Sequence, residues 1–357
     1  MKKKLVGMLA TATLLTMALA GNVQAAEIRS VGPDGEAAVD ASTIELTDDQ
    51  IAQIKEGGYT AAICLHYGGN DWSTSQQKGL EDTFGELGIE IVAVTDANFS
   101  AETQVSNIET VMAKKPDILV SIPTDATATA DAYKQAAAGI KIVFMDQRAD
   151  GLEAGKDYVS VVSADNYGNG YASGTVLGDA LGGKGKVAMV YYDANFAPTN
   201  QRDEGFRDAM KNYPDIEIVT EQGFTDESGC AEQGDAILTQ FPNIDGIYAS
   251  WDVPMEGVLS AVRAAGMEGK VTLACNDLGN NVAREIASGN IAGGGAQMPY
   301  DQGVAEAKLA ALALLGEETP SYVAVPAETV THENVLEAYT DVYHVETPDW
   351  LKEAYVE

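Results

Sequence analysis

From about residue 58 onward, short continuous apolar runs alternate with amphipathic stretches almost to the end of the 357-residue chain. The runs cover residues 61–66, 89–95, 118–122, 140–145, 159–163, 187–192, 216–220, 246–250 and 271–275. They are continuous rather than alternating, as strands covered on both faces should be in a parallel sheet. Between them, residues 74–87, 101–115, 200–213, 254–265 and 302–315 place apolar side chains at helical spacing. This order predicts an α/β fold in which right-handed crossovers lay helices on both faces of each sheet.

The strands are too many for one comfortable open sheet, and the length suits two domains. The expectation is two doubly wound parallel lobes joined by a multi-stranded hinge. The chain is expected to enter the second lobe near 164–168 and to recross near 293–299 and 322–326. The domains then read as a signal peptide over 1–25, a polar lead-in over 26–58, a first lobe over 59–164 plus 293–325, a second lobe over 165–292, and a C-terminal extension over 326–357. The extension is expected to pack a helix over 333–343 across a lobe surface. A short echo supports two similar halves: Asp96-Ala97-Asn98-Phe99 follows one strand and Asp193-Ala194-Asn195-Phe196 another. Gly168-Asn169-Gly170 and Gly182-Gly183-Lys184-Gly185 read as turns, the latter as a helix stop before a strand.

Three lysines, Lys2 to Lys4, precede an uncharged run over 5–21 and then Val23-Gln24-Ala25, the three-part pattern of a signal peptide cleaved near Ala25. The run is short for a membrane span, which needs ~20 apolar residues. No cysteine near the cleavage pattern offers a lipid attachment point. The mature protein is therefore expected to be periplasmic or extracellular, free, soluble and monomeric. Cleavage removes three bases and no acid, moving the formal charge from −32 to −35. Such a charge repels phosphate backbones, and no basic cluster interleaved with aromatics remains, which argues against nucleic acid as partner. Cys64, Cys230 and Cys275 lie far apart with no CxxC pair, and His66, His332 and His344 are equally scattered. No metal site, disulfide framework or cofactor is expected.

In open parallel sheets, ligands bind outside the carboxyl ends of the strands. Here those ends carry His66-Tyr67-Gly68-Gly69-Asn70-Asp71-Trp72, Pro123-Thr124-Asp125, Asp146-Gln147-Arg148, Trp251-Asp252 and Asn276-Asp277, with Gln297 after the last strand before a long helix. Carboxylates accept from hydroxyls, arginine donates in a fork, and aromatic faces cover the C–H faces of a sugar ring. The set suits a small polyhydroxylated ligand, although each Asp is also a natural cap for the helix that follows.

At Asn70-Asp71-Trp72, Asp146-Gln147-Arg148, Asn200-Gln201-Arg202-Asp203-Glu204-Gly205-Phe206 and the 277–297 stretch, the chain resembles the ribose-type sugar-binding proteins of ABC importers. The resemblance runs from about Tyr59 to Val330. It implies a type I periplasmic binding fold, with Asn70 supplying an amide and Trp72 a stacking ring. It also implies that Asp146 and Arg148 bind hydroxyls, and that Asp277, Gln297 and a stacking Phe224 serve from the second lobe. The family's second-lobe arginine falls on Asn200, with Arg202 nearby. Gln147 is inserted where the family has its arginine, while Ile122 and Trp251 replace ligand-binding asparagines. These departures argue against plain ribose and for a larger, less polar or differently hydroxylated ligand. His66 and Tyr67 are within reach of the same cleft.

The leading expectation is a receptor that closes by hinge bending on a monosaccharide or polyol and is recognised by a membrane permease. A sensory or quorum-signal receptor of the same fold is the alternative, since transport and sensing differ only in the partner. A glycoside hydrolase using two cleft carboxylates is a third reading. No GxSxG, HExxH, GxxxxGK[ST] or strand-following GxGxxG supports catalysis.

Overall fold

A computed structural model of the chain describes residues 28–356, so the signal segment expected over 1–25 lies outside the described residues. Its strands are β1 (Val39–Asp40), β2 (Thr60–Leu65), β3 (Glu90–Asp96), β4 (Ile118–Ser121), β5 (Lys141–Met145), β6 (Ser160–Ala164), β7 (Lys184–Tyr192), β8 (Asp215–Phe224), β9 (Gly246–Ala249), β10 (Thr272–Cys275), β11 (Gly293–Ala296), β12 (Tyr322–Val325) and β13 (Glu328–Thr331). They form a seven-stranded sheet ordered β1-β12-β6-β5-β4-β2-β3 and a six-stranded sheet ordered β13-β11-β10-β9-β7-β8. Pairing is parallel except between β11 and β13. The helices are α1 (Asp48–Gly57), α2 (Asp71–Leu87), α3 (Ala101–Lys114), α4 (Ala130–Ala136), α5 (Asn166–Ala180), α6 (Ala197–Met210), α7 (Cys230–Gln240), α8 (Asp252–Ala264), α9 (Asn280–Ala287), α10 (Pro299–Leu314), α11 (Val335–Tyr343) and α12 (Asp349–Ala354).

Strand β2 shows why the runs are apolar throughout. Ala61, Ile63 and Leu65 enter the core on one face of the first sheet, while Ala62 and Cys64 enter the core on the other. Burying each large aliphatic side chain contributes roughly 1.5–3 kcal/mol, so a polar residue on either face would disrupt one of two cores.

The chain passes between the sheets after β6, after β11 and after β12. The middle passage differs from the sequence expectation, which put 293–325 wholly in the first lobe. Gly293–Ala296 pairs with β10 and β13 in the second sheet, and only α10 and β12 belong with the first. Three glycines and an alanine carry little strand propensity, but here the absent side chains are required. A Cβ on Gly294 would lie 1.6 Å from the Cys275 carbonyl oxygen, and one on Gly295 2.3 Å from that of Asn169.

Two further boundaries move. The lead-in over 26–58 contains β1, at the edge of the first sheet, and α1, whose Ile54 is fully buried in the first core. A Thr47–Gln50 capping box starts α1 and left-handed Gly58 ends it. The C-terminal extension over 326–357 is likewise part of a lobe. It contributes β13 to the second sheet and Val335, Tyr339, Val342 and Leu351 to the second core. Gly168-Asn169-Gly170 is the first turn of α5, capped by the Asp165 carboxylate, and not a turn between elements. The second glycine cluster does end α5, and β7 begins inside it at Lys184.

Candidate functional site

The carboxyl ends of the two sheets face each other across a cavity lined by side chains from both lobes. Polar groups on its surface are His66, Asn70, Asp146, Arg202, Asp277 and Gln297, with Asp252 and Thr199 beside them. Between these stand the rings of Tyr67, Trp72, Phe99, Tyr192, Phe196 and Trp251. The lobes also touch directly. Asn280, at the start of α9, donates its backbone N–H and its amide to the two Asp71 carboxylate oxygens at the start of α2, both at 2.8 Å. Gln147 donates to the Pro123 carbonyl oxygen at 2.9 Å and accepts from the Ala197 N–H of the second lobe at 3.1 Å.

The first wall grows from the loop after β2. Asn70 caps α2 by accepting the Ser73 N–H through Oδ1, which fixes its amide nitrogen at the cavity. Asp146 follows β5 with φ 53°, a left-handed conformation that Asp tolerates better than most residues. Its Oδ1 accepts from Ser163, Gln302 and the Ala164 N–H, and its Oδ2 has no partner among the described residues. Behind it, Gln76 donates to buried Glu306 at 2.6 Å, and Gln302 connects this pair to Asp146.

The second wall is built on Arg202 of α6. A Cβ on Gly170 would meet the Arg202 carbonyl oxygen at 1.8 Å, and one on Gly205 the Tyr167 oxygen at 2.1 Å, so paired glycines let α5 and α6 approach closely enough to bury the arginine. Its Nε donates to Asn166 at 2.8 Å, and Nη1 donates to the Ser250 carbonyl at 3.3 Å and to Asp277 Oδ2 at 3.1 Å. Gln297 donates to Asp277 Oδ1 at 2.7 Å. Like Asp146, Asp277 sits just past a strand with positive φ, here 69°. Ser163 and Asn166 connect the two aspartates through the hinge, because Asn166 donates to the Ser163 hydroxyl and that hydroxyl donates to Asp146.

Burial dominates the titration of the site. It lowers the His66 pKa to about 3, so the ring is neutral. It raises the carboxyl of Asp252 to about 8, helped by the charge of Asp277, although Asp252 accepts backbone N–H bonds from Val253 and Gly279. Burial also raises Asp146, opposed mainly by the Arg202 charge, and holds Glu306 well above the usual carboxylate range. Among the described residues, four polar atoms of cavity-lining side chains are buried without a partner: His66 Nδ1, Asn70 Nδ2, Trp72 Nε1 and Gln297 Oε1. An unpaired buried polar atom costs ~1–3 kcal/mol, so this set is chemically suited to a ligand rich in donors and acceptors.

Of the residues singled out from sequence, Asn70, Trp72, Asp146, Arg202, Trp251, Asp252, Asp277 and Gln297 line the cavity. Six do not. Asp71 and Gln147 bridge the lobes, as described above. Asp125 is exposed and caps Thr127 and Ala128. Arg148 turns away, donating to the Leu152 carbonyl at 2.6 Å and to Asp34 at 2.7 Å. Asn200 is exposed; two residues from Arg202 on one helix, it lies on a nearly opposite face. Phe224 packs behind the lining, 5.1 Å from Trp251 and 5.6 Å from Tyr192 between ring centres.

Sequence reasoning missed Phe99, Tyr192, Phe196 and Thr199. The signal for two of them was the repeated Asp-Ala-Asn-Phe, whose phenylalanines reach the cavity from opposite lobes. Phe196 stacks on His66 at 5.7 Å, and Phe99 stacks on Tyr67 at 4.1 Å. No group of side chains suited to a metal ion is present among the described residues, and no helix there is long and apolar enough to cross a membrane.

This two-lobed architecture recurs among known proteins. The D-ribose/D-allose-binding protein of Pseudomonas aeruginosa is 29% identical over 273 residues, covering 73% of this chain and 83% of its own. The D-allose-binding periplasmic protein of Escherichia coli is 26% identical over 258 residues, 70% of this chain and 82% of its own. Among solved structures, an ABC transporter periplasmic solute binding protein from Actinobacillus succinogenes with bound D-allose is 28% identical with a TM-score of 0.72, covering 78% of this chain and 99% of its own. A solute binding protein from Agrobacterium vitis bound with alpha-D-tagatopyranose is 25% identical with a TM-score of 0.74, covering 82% of this chain and 100% of its own. A family model described as a periplasmic binding protein domain matches residues 61–318. That match spans well over half of the sequence, so the chain belongs to the periplasmic binding protein domain family.

Proposed function

We propose that this protein is an extracytoplasmic solute receptor: its lobes close on one monosaccharide or polyol, and the closed form is delivered to an ABC permease. The observation that carries the reading is the convergence of His66 Nδ1, Asn70 Nδ2 and Trp72 Nε1 from one lobe and Gln297 Oε1 from the other, all buried and unpartnered, on a single cavity. A polyol presents hydroxyls that donate and accept, so it can satisfy all four at once, but only when both lobes are in place. Asp146 Oδ2 adds an acceptor, and the Trp72 and Trp251 rings offer faces for C–H bonds. The proteins similar to this chain that bind D-allose and D-ribose support the ligand class.

Binding without chemistry is the reading the carboxylates favour. Both oxygens of Asp252 accept backbone N–H bonds, and both oxygens of Asp277 are held by Arg202 and Gln297. Neither has an oxygen free to act as a nucleophile. In this proposal the mature chain is monomeric, begins near Ala26 after export, and closes through the Asp71–Asn280 and Gln147–Ala197 contacts.

The test is a thermal-shift screen of the purified protein against monosaccharides, polyols, amino acids and nucleosides. A solute at ~100 times its Kd adds about 2.7 kcal/mol to native stability. The expected result is a raised melting temperature for members of the sugar and polyol classes alone. Shifts confined to amino acids or nucleosides would contradict the ligand class.

A further inference from the structure

We propose that the solute carries a positive charge: an amine-bearing sugar or polyol whose ammonium group sits against Asp146 among the aromatic rings of the cleft. This deepens the solute-receptor reading and rests on it. The argument begins with the charges on the lining. Three acidic side chains face the cavity, Asp146, Asp252 and Asp277, with one cation, Arg202. His66, buried with no hydrogen-bond partner on Nδ1, contributes no charge. Arg148, the second arginine that the sequence placed here, bonds instead to Asp34 and the Leu152 carbonyl. Arg202 makes its ion pair with Asp277 while its charge also acts on Asp146, and burial keeps Asp252 protonated near neutral pH, which leaves Asp146 as the lining acid with no direct ion pair among the described residues.

The two remaining acids are not equivalent. Both oxygens of Asp252 already accept backbone N–H bonds, from Val253 and Gly279. Asp146 accepts its three bonds on Oδ1 and none on Oδ2 among the described residues. Asp146 therefore has an open acceptor oxygen and no directly bonded cation among the described residues. The rings of Tyr67, Trp72, Phe99, Tyr192, Phe196 and Trp251 line the same cavity. Aromatic faces are negative in potential and attract a cation, most strongly where water is excluded. Carboxylates and ring faces act in the same sense, favouring an ammonium and disfavouring a phosphate or carboxylate. A neutral hydroxyl at the same place donates a charge-assisted hydrogen bond to the carboxylate, and an ammonium adds to such a bond the direct attraction of opposite charges.

The experiment is isothermal titration of the full-length mature protein with matched sets: D-glucosamine, D-glucose and N-acetyl-D-glucosamine; the three galacto counterparts; and 1-amino-1-deoxy-D-sorbitol with D-sorbitol. In each set the carbon skeleton and hydroxyl pattern are held while the charge changes. The expected result is at least one amine that binds about tenfold or more tightly than both its parent and its N-acetyl derivative. An Asp146→Asn variant is expected to shrink that ratio severalfold, and its circular dichroism reports whether the fold is retained. Equal or tighter binding of the neutral members overturns the inference while leaving the solute-receptor reading in place. An unchanged ratio in a folded Asp146→Asn variant overturns the assignment to Asp146. Silence from every amine together with every neutral member overturns the inference and the sugar or polyol reading alike.

Discussion

The two walls of the cleft carry similar residues but hold them differently. On the second-lobe wall, Arg202, Asp277, Gln297, Asn276 and Ser250 form one buried network in which nearly every polar atom is engaged. The network continues inward, where Ser250 donates to Asp203 at 2.6 Å. On the first-lobe wall, His66, Asn70 and Trp72 each bring a buried nitrogen with no partner. Apart from Gln297 Oε1, the second wall is a prearranged surface whose polar groups satisfy one another. The first holds groups that a ligand has to complete. Changes on the second wall should therefore register in stability, and changes on the first in affinity.

The largest expected effect tests that division from the second wall. Arg202→Met leaves Asp277 buried beside no cation and Asn166 without its partner. Removing one member of a buried ion pair costs about 3–5 kcal/mol. Chemical denaturation should show a loss of that size, and a loss below about 1 kcal/mol would mean the network is not prearranged.

Asp146→Asn works on the first wall and is expected to do the reverse. Burial raises the pKa of the Asp146 carboxyl, so its charged form is disfavoured in the native state and neutralising it should not lower stability. Ligand affinity should fall by about 10- to 150-fold, the value of a charged hydrogen bond. A large drop in melting temperature with intact affinity would reverse the comparison.

A pH series sharpens it further. Burial raises Asp203 to about 7 and Asp252 to about 8 from an ordinary value of 3.8. Such acids keep a proton in the native state that the unfolded chain has lost, so the native state binds more protons between about pH 4 and pH 8. Stability therefore falls as pH rises through this window. Urea denaturation should show stability declining across this window, and Asp203→Asn should make the decline shallower. A flat wild-type profile would contradict the buried, protonated state of these acids.

The smallest effect belongs to Trp72→Ala, which removes one ring face and one unpartnered N–H from the first wall. Affinity should weaken by about 2- to 12-fold, corresponding to about 0.5–1.5 kcal/mol. The melting temperature without ligand should stay where it is. If stability falls instead, Trp72 is a packing residue.

How much of this was legible in sequence follows from the range of the signals. Continuous apolar runs are a local property, and they located β2 through β10 to within a few residues, although β3 and β8, at the sheet edges, are only partly buried. Strand β11 did not announce itself, because Gly293, Gly294 and Gly295 are dictated by the approach of Cys275 and Asn169 from elsewhere in the chain. The lobe boundary there was misplaced for the same reason. In the site, strand ends pointed to Asp146, Asp252 and Asp277, which line the cavity. Direction was the part that could not be read. Arg148 and Asn200 have suitable chemistry, but a neighbouring Asp34 captures one and helical phase turns the other outward. Phe99 and Phe196 were visible as a repeated tetrapeptide, yet their reach into one cavity depends on how the lobes face each other.

The most direct measurement is a crystal structure of the mature protein with the solute that most raises its melting temperature. The account predicts one solute molecule between the lobes, within hydrogen-bonding distance of Asn70 Nδ2 and Trp72 Nε1 on one side and Gln297 Oε1 on the other, with Asp71 and Asn280 still joined. A solute bound to one lobe alone, or outside the cavity with those atoms still unpartnered, would contradict it.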